Sequence, residues 1–165
     1  MPSVAPSFPF VDAHETFINA SATSTWDALL PVIRASFQNP GSALIARLLR
    51  CEPLRSGPEQ LPAPGARLPG FRVAAAKPPR RLELEGSHRF STYRLVFVLY
   101  PLEPAGCRLR AETWAAFPGR GGHIYRSLVI GTRGHVLVVL AILAAVGRAS
   151  HAGTEGSAHP GASGR

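Results

Sequence analysis

The sequence predicts an α+β fold in which a curved antiparallel β-sheet wraps around a long C-terminal helix, with two short helices after the first strand. Three observations support this fold class. Several segments between residues 71 and 117 alternate apolar and polar side chains, as antiparallel strands with one buried face do. Two earlier segments repeat apolar residues at spacings of three and four, which is typical of amphipathic helices. A long apolar segment follows the last strand and needs cover on most sides, which a curved sheet supplies.

The composition indicates a single globular domain. The chain has 165 residues, of which 45% are hydrophobic, and this is enough to bury a sizeable core. The formal net charge is +8, and almost all of the basic charge is arginine, because Lys77 is the only lysine. The arginines are spread along the chain and form no long basic run, so we expect no nucleic-acid partner.

The two cysteines, Cys51 and Cys107, lack the spacing of metal ligands or of a disulfide framework. We therefore expect no metal and no other cofactor. Two unpaired thiols fit a reducing cytoplasm. Residues 1–10 lack a basic segment followed by an apolar one, so no signal peptide is predicted.

One apolar segment bears on membrane insertion. Residues 136–146 are all apolar, but a spanning helix needs about 20 such residues. The neighbouring Arg133 and His135 are costly in lipid. A buried core helix is therefore predicted and no stable membrane insertion, with a membrane-anchored form as a remote alternative.

The first third of the chain is predicted to contain one strand and two helices. Residues 1–9 contain prolines and small residues and are expected to be flexible, and residues 10–19 are rich in β-forming side chains. Ser21 and residues 23–25 offer N-cap oxygens for a helix that residues 39–41 end, and Ser42 can cap a second short helix. The first helix carries its apolar residues on one face, namely Trp26, Leu29, Leu30, Ile33 and Phe37.

A long loop is predicted between the second helix and the remaining strands. Residues 52–70 contain five prolines and three glycines. Loops of this length inside a domain are often functional. This one is a candidate lid at the mouth of a cavity.

Four further strands are predicted at residues 71–76, 81–90, 92–100 and 107–117. On their solvent side, opposite charges on neighbouring strands are expected to pair across the sheet. The outward Trp114 is expected to pack under the N-terminal segment or to mark a partner surface. The outward charged residues are Glu83, Glu85, Arg94, Arg108, Arg110 and Glu112.

The last element is predicted to be a long helix over residues 124–148, followed by a disordered tail over residues 149–165. The folded domain would then cover residues 10–148. One stripe of the helix is expected to face the sheet and consists of Ile124, Leu128, Gly131, His135, Val138 and Ile142.

This order of elements, together with short matching stretches, resembles the START/Bet v 1-like superfamily (SRPBCC), which includes polyketide cyclase/dehydrase and lipid transport-like proteins. The stretches are FINAS at residues 17–21, TWDAL at 25–29, YRLVFVL at 93–99, CRLRAET at 107–113 and YRSLVIG at 125–131. The resemblance covers residues 10–148, and the order of elements carries most of it.

The resemblance implies a helix-grip fold with an apolar cavity between the sheet and the C-terminal helix. Members of the superfamily bind lipids, sterols, polyketides or hormones there, and a minority catalyse cyclisation or dehydration. The five strands counted here are fewer than many members have. Either the cavity is smaller, or a strand lies within residues 52–70.

The leading functional hypothesis is a non-catalytic carrier or sensor whose partner is a small hydrophobic molecule. A polyketide cyclase or dehydratase is the second hypothesis, and a filled-core protein that binds a partner is the third. Homodimerisation is left open. The candidate ligand-binding residues are Tyr93, Leu95, Phe97, Leu99, Leu109, Ala111, Thr113, Leu128 and His135.

Three residues are candidates for catalysis. His135 lies on the apolar stripe and is either an acid, base or ligand contact, or a core histidine satisfied by a protein partner. His88 and Tyr93 share the inward side of their strands, so together they could polarise a ligand carbonyl. The alternative for His88 is a polar rim residue. Gly86 could mark a bulge that changes the inward parity of His88.

Overall fold

The described residues of this computed structural model, 8–118 and 134–156, form a six-stranded antiparallel sheet and three helices. This confirms the predicted α+β helix-grip class. The strand order is β1-β6-β5-β4-β3-β2. The strands are β1 Phe10–Ile18, β2 Arg67–Leu68, β3 Phe71–Lys77, β4 Arg81–His88, β5 Ser91–Pro101 and β6 Cys107–Ala116, and the helices are α1 Ala22–Gln38, α2 Pro40–Leu49 and α3 Gly134–Gly156.

The inner face of the sheet follows the alternation seen in the sequence. On β5, the central strand of this face, Leu95, Phe97 and Leu99 are buried, as predicted. The ladders that join β5 to β4 and to β6 keep a constant register along their whole length. Because the side-chain period of a strand is two, a constant register keeps every inward residue on one face.

The short strand β2 lies within the predicted loop. Arg67 and Leu68 pair with Arg72 and Phe71 of β3, so the alternative of a strand within residues 52–70 is confirmed. Two residues are too few to show an alternating pattern, and Pro69 follows them at once. The sheet therefore has one strand more than the sequence pattern indicated.

The outer face carries the cross-strand ion pairs that the sequence predicted. Arg94 on β5 lies 3.1 Å from Glu85 and 3.5 Å from Glu83, both on β4. Arg110 on β6 lies 3.6 Å from Glu15 on β1. Each such pair contributes up to about 1 kcal/mol, because these side chains are partly solvated.

The outward Trp114 packs against the start of β1. Its ring meets that of Phe10 edge-on at 5.1 Å between centroids. Phe8 lies under the guanidinium of Arg94 at 5.1 Å. Trp114 therefore packs against the first residue of β1, next to the N-terminal segment that was expected to cover it.

The two short helices are joined at a single capping residue. Ser21 caps α1 as predicted, since the backbone N–H of Ser24 donates to its hydroxyl at 3.0 Å. The cap of α2 is Asn39 and not Ser42, because the N–H of Ser42 donates to the Asn39 side chain at 2.9 Å. Pro40 fits the first helical position, where its missing N–H costs nothing, so α2 begins before the predicted cap.

The described part of α3 packs against α1 and β1. The predicted start of this helix, with Ile124, Leu128 and Gly131, lies outside the described residues. At its other end α3 continues past residue 148 to Gly156, and the buried Ser150 hydroxyl donates to the Val146 carbonyl at 2.8 Å. Within the described ranges, none of the helices is long and apolar enough to cross a membrane.

The helices cover the inner face of the sheet unevenly. The middle of α1, with Leu29 and Ile33, packs in one core cluster with Phe97 and Leu109, and all four side chains are fully buried. Past Phe37 the chain turns into α2, so α1 no longer covers the sheet. The half of the sheet where β5 begins is instead flanked by α2 and α3, and a cavity remains there.

Candidate functional site

The cavity between the sheet, α2 and α3 has a volume of about 300 Å³. This lies at the lower end of the range for small-molecule sites, roughly 300–1,000 Å³. Its floor is formed where β5 begins and where β4 and β6 end. Its walls are mostly apolar and include Leu95, Ala115, Ala46, Leu49, Val138 and Val139.

The ends of the predicted loop form part of the wall. Cys51 stands at one end, and Pro69 and Gly70 stand at the other. The first residue of this loop is held in place, because Glu52 exchanges two backbone hydrogen bonds with Ser87 of β4, at 2.8 and 3.2 Å. Burial of the Cys51 thiol raises its pKa, so the thiol stays protonated and apolar in character. The role of this loop as a lid stays a prediction.

One polar group of the cavity consists of His88 and Tyr93, the pair considered from the sequence. Their ring centroids are 5.5 Å apart, and both residues line the cavity. The backbone N–H of Phe90 donates to Nδ1 of His88 at 3.1 Å. Burial lowers the pKa of His88, so the ring is neutral near pH 7 and carries its proton on Nε2.

Tyr93 is oriented by the backbone of the loop. Its hydroxyl donates to the Gly70 carbonyl at 2.7 Å, and the Gly70 N–H donates to the Pro53 carbonyl at 2.7 Å. Gly70 has a φ of +82°, a conformation that favours glycine. The position of Tyr93 in the cavity therefore depends on a loop conformation that other residues rarely adopt.

Gly86 allows this loop to approach the sheet. The register of β4 against β5 continues unchanged through the Gly86–Tyr93 pair, so the alternative of a bulge at Gly86 does not hold for this ladder and His88 keeps its inward parity. A Cβ at Gly86 would overlap the Gly70 carbonyl oxygen and lie 2.9 Å from the Tyr93 ring. The glycine is needed because a second backbone segment passes close to the strand.

A second polar group joins β1 to α3. Nε2 of His135 donates to a carboxylate oxygen of Asp12 at 2.7 Å, and Nε2 of His14 lies 3.5 Å from the same oxygen. Asp12 stands opposite Thr113 in the ladder between β1 and β6. His135 and Thr113 line the cavity. The structure therefore brings the predicted site residues His135 and Thr113 together with Asp12, which was not among the predicted site residues.

The environment of Asp12 keeps it ionised. Burial acts to raise its pKa, but the hydrogen bond from His135, the nearby hydroxyl of Thr113 and the charges of His135 and His14 outweigh burial. The pKa therefore lies below its usual value of 3.8. An ionised Asp12 accepts the hydrogen bond from His135 and so fixes the orientation of its ring.

The other candidate ligand residues have different locations. Tyr93, Leu95, Thr113 and His135 border the cavity, as does His88. Four residues do not line the cavity and lie instead in the closed, buried part of the core that they share with α1 and α3, namely Phe97, Leu99, Leu109 and Ala111. They face inward as predicted, but the core side chains of the helices fill the space next to them. Leu128 lies outside the described residues.

The arrangement of potential metal ligands bears on the kind of chemistry the site could support. In the described part of the chain, no group of three or more His, Cys, Asp and Glu side chains is arranged to hold a metal ion.

Changing Asp12 to Asn is expected to remove part of the acid sensitivity of folding. Because the folded-state pKa is depressed, Asp12 stabilises the protein above pH 3.8 and this contribution is lost as the pH falls through the folded value. We expect a loss of roughly 1 kcal/mol at neutral pH, since hydrogen bonds to charged groups contribute more than neutral ones and this pair is partly exposed. Denaturant unfolding at a series of acidic pH values measures the free energy of unfolding of the variant and of the parent. Asp27→Asn, on the exposed side of α1, is the control, and equal pH profiles for Asp12→Asn and the parent would contradict the prediction.

Solved structures share this fold at low sequence identity. An aromatase/cyclase, Zhui, from Streptomyces sp. R1128 is 13% identical, with a TM-score of 0.57, and the match covers 93% of this chain and 100% of that chain. A protein from Thermus thermophilus is 15% identical, with a TM-score of 0.54 and coverage of 88% and 99%. A protein from Mycobacterium smegmatis is 10% identical, with a TM-score of 0.53 and coverage of 85% and 96%.

These similarities show that the chain has the helix-grip fold, which the resemblance had implied. Comparison with family models and with curated proteins finds no match. Because one fold hosts many functions, the function has to be argued from the cavity and its polar groups.

Proposed function

We propose that this protein binds a small, mostly apolar molecule in the cavity between the sheet, α2 and α3. The observation that carries the proposal is the cavity of about 300 Å³, whose apolar walls are interrupted by two polar groups, His88 with Tyr93 and His135 with Asp12. Apolar walls supply affinity, and a few placed polar groups fix the orientation of a ligand.

The size and lining of the cavity favour a compact ligand with about two rings. A dry apolar cavity of roughly 150 Å³ holds one benzene molecule, so twice that volume suits a two-ring compound better than a long acyl chain. Aromatic side chains also border the cavity, and the rings of Phe71 and Tyr93 meet edge-on at 5.2 Å. Such walls stack well on a planar ligand. Its carbonyl or hydroxyl groups would be placed near the histidines.

Filling the cavity is expected to abolish this binding without unfolding the protein. Ala46 is buried on α2 and lines the cavity, so Ala46→Phe places a ring where the ligand would lie. We expect at least about a hundredfold loss of affinity, because the ligand and the new ring cannot share the space. Native mass spectrometry of the purified protein, followed by extraction and titration of any co-purified compound or of a panel of two-ring phenols and ketones, measures binding.

Ala43→Phe is the matched control, because Ala43 is exposed on the same helix and does not line the cavity. It should bind like the parent. Thermal unfolding of both variants shows whether they fold. Equal binding by the Ala46→Phe variant and the parent would place the ligand elsewhere, and an apo mass with no thermal shift across the panel would reject a ligand-binding role.

A second candidate function is acid–base catalysis of cyclisation or dehydration in the same cavity. The pairing of His135 with Asp12 favours it, because a carboxylate that orients a histidine strengthens the ring as a base. In a dehydration, Nδ1 of His135 would take a proton from the carbon next to a substrate carbonyl and return it to the hydroxyl on the neighbouring carbon, so that the hydroxyl leaves as water and a carbon–carbon double bond forms. The similarity in fold to an aromatase/cyclase is compatible with this chemistry.

Turnover separates this candidate from a carrier. With a small poly-β-keto substrate analogue, an enzyme would form the dehydrated or cyclised product, and His135→Gln would lower its rate by about 10²–10⁴-fold while leaving binding largely intact. A carrier would bind the analogue and release it unchanged. Mass spectrometry of the incubated analogue distinguishes the two.

A further inference from the structure

We propose that the rim of the cavity, formed by α2 and α3, docks on an anionic lipid surface. Ile45 on α2 and Val138 on α3 both line the cavity, yet they are 58% and 50% exposed, so they form its two edges. The contact with lipid does not require a bound ligand, so this proposal and the proposed cavity function can fail separately.

Large apolar side chains continue outward from both edges. On α2, Leu44 and Leu48 lie on the same side as Ile45, and Leu48 is 73% exposed. On α3, Leu137 and Leu140 are exposed beside Val138. A cluster of exposed apolar side chains around a cavity mouth is unusual for a surface that contacts only water. These five residues, Leu44, Ile45, Leu48, Leu137 and Val138, are called the apolar rim below.

Charge identifies the kind of surface that the apolar rim fits. Arg47 and Arg50 are exposed on and just after α2, and the Arg89 N–H contacts the Leu49 carbonyl at 3.5 Å, which places Arg89 beside the same helix end. The sequences of α2 and of residues 134–150 contain no acidic residue. Positive charge next to exposed apolar side chains matches the headgroup region of an anionic bilayer.

Part of the acidic charge lies on the opposite side of the sheet. Three of the ten acidic residues, Glu83, Glu85 and Glu112, are paired with arginines on the outer face of the sheet, away from the cavity. The outer face is therefore balanced in charge, whereas α2 and residues 134–150 carry arginines and no acidic residue. A protein partner with an acidic, apolar surface would meet some of these features, but binding of the purified protein to anionic vesicles needs no such partner, so the experiment below separates the two.

Vesicle flotation tests the proposal. Vesicles of phosphatidylcholine alone are compared with vesicles that contain an equal amount of phosphatidylglycerol, at low and at high salt. We expect binding to the anionic vesicles, weakened by salt, because screening shortens the reach of the arginines to less than about 10 Å above 0.1 M. The double variant Leu44→Gln, Leu48→Gln should bind roughly tenfold more weakly, and Arg47→Gln about fivefold more weakly.

Matched controls come from other faces of the protein. Phe17 is exposed on β1 and Arg80 in the turn before β4, so Phe17→Gln and Arg80→Gln remove similar groups away from the rim. Both should retain vesicle binding. Ligand binding in solution, measured for the same variants, should be unchanged, which shows that the cavity is intact.

Three results would overturn the proposal. The first is equal vesicle binding by the parent and the Leu44, Leu48 double variant. The second is a parent that ignores vesicles but forms a concentration-dependent dimer that the double variant lacks, which would make the rim an interface between two copies. The third is a parent that ignores vesicles and a double variant with a lowered melting temperature, which would mean that other residues of the chain cover the rim.

Discussion

Replacing Gly86 with alanine is expected to destabilise the fold by at least about 3 kcal/mol and to abolish ligand binding in the cavity. The added methyl group would overlap the backbone carbonyl of Gly70, which is not the flexible end of a side chain. Either β4 or the loop must shift, and the hydrogen bond from Tyr93 to Gly70 is then lost. Overpacking against backbone and the loss of a buried hydrogen bond both contribute to this cost.

Gly147→Ala is the matched control for this substitution. Gly147 lies inside α3, and nothing stands within 4 Å of the position where its Cβ would be. Alanine should stabilise the protein there by about 0.5–1 kcal/mol, because glycine is a poor helix former. Chemical denaturation of both variants measures the two effects, which have opposite signs. A Gly86→Ala variant as stable as the parent would show that the loop does not approach β4 as closely as described.

Replacing Phe97 with alanine is expected to lower the free energy of unfolding by about 3–5 kcal/mol, because it removes a fully buried aromatic side chain from the closed part of the core. Leu29 and Ile33 of α1 belong to the same buried cluster as Phe97. Because several side chains hold α1 in place, the helix cannot move to fill the cavity that the substitution leaves. Because Phe97 does not line the cavity, the folded fraction of the variant should bind the ligand with parental affinity.

Phe17→Ala separates burial from the loss of an aromatic ring. Phe17 is exposed on β1, an edge strand of the same sheet, so its removal should change the free energy of unfolding by less than about 0.5 kcal/mol. Denaturant titration gives the stabilities, and titration with the cavity ligand below the unfolding transition gives the affinities. If folded Phe97→Ala failed to bind while Phe17→Ala bound normally, the ligand site would extend beneath α1.

The contrast between Phe97 and Leu95 shows what separates a core residue from a cavity residue. Both sit on the inner face of β5, two positions apart, and both are equally apolar in the sequence pattern. Phe97 packs in the core cluster with residues of α1, whereas Leu95 lies past the end of α1 and borders the cavity that α2 and α3 flank. Periodicity identifies the inward side of a strand, but it contains no information on which helix stands above each residue.

The polar pair at the cavity illustrates the same limit. His135 was identified because it interrupts an apolar helical stripe, and it does have a side-chain partner. Asp12 lies more than a hundred residues away on β1, where a register shift between Phe10 and Asp12 aligns it with Thr113. Asp12, His14, Thr16 and Ile18 occupy every second position of β1. Because the side-chain period of a strand is two, this pattern places all four on the inward face with Ile18, and two of them have ionisable side chains.

Gly86 shows how a correct observation had two structural explanations. A glycine within a strand indicates either a bulge or the close approach of another chain segment. The bulges lie instead between Phe10 and Asp12 and between Val73 and Ala75. The segment that approaches Gly86 is Gly70, from a proline-rich loop whose path no local pattern predicts.

Side-chain periodicity, capping residues and turn residues were sufficient to place five of the six strands and the helices in order and to assign the buried side of those five strands, because these properties depend on neighbours along the chain. The position of the cavity, its volume and its two polar groups depend on where α1 stops covering the sheet and on contacts between β1, α3 and the loop. Those contacts join residues far apart in sequence, and their geometry is set by packing that forms only when the whole domain has folded.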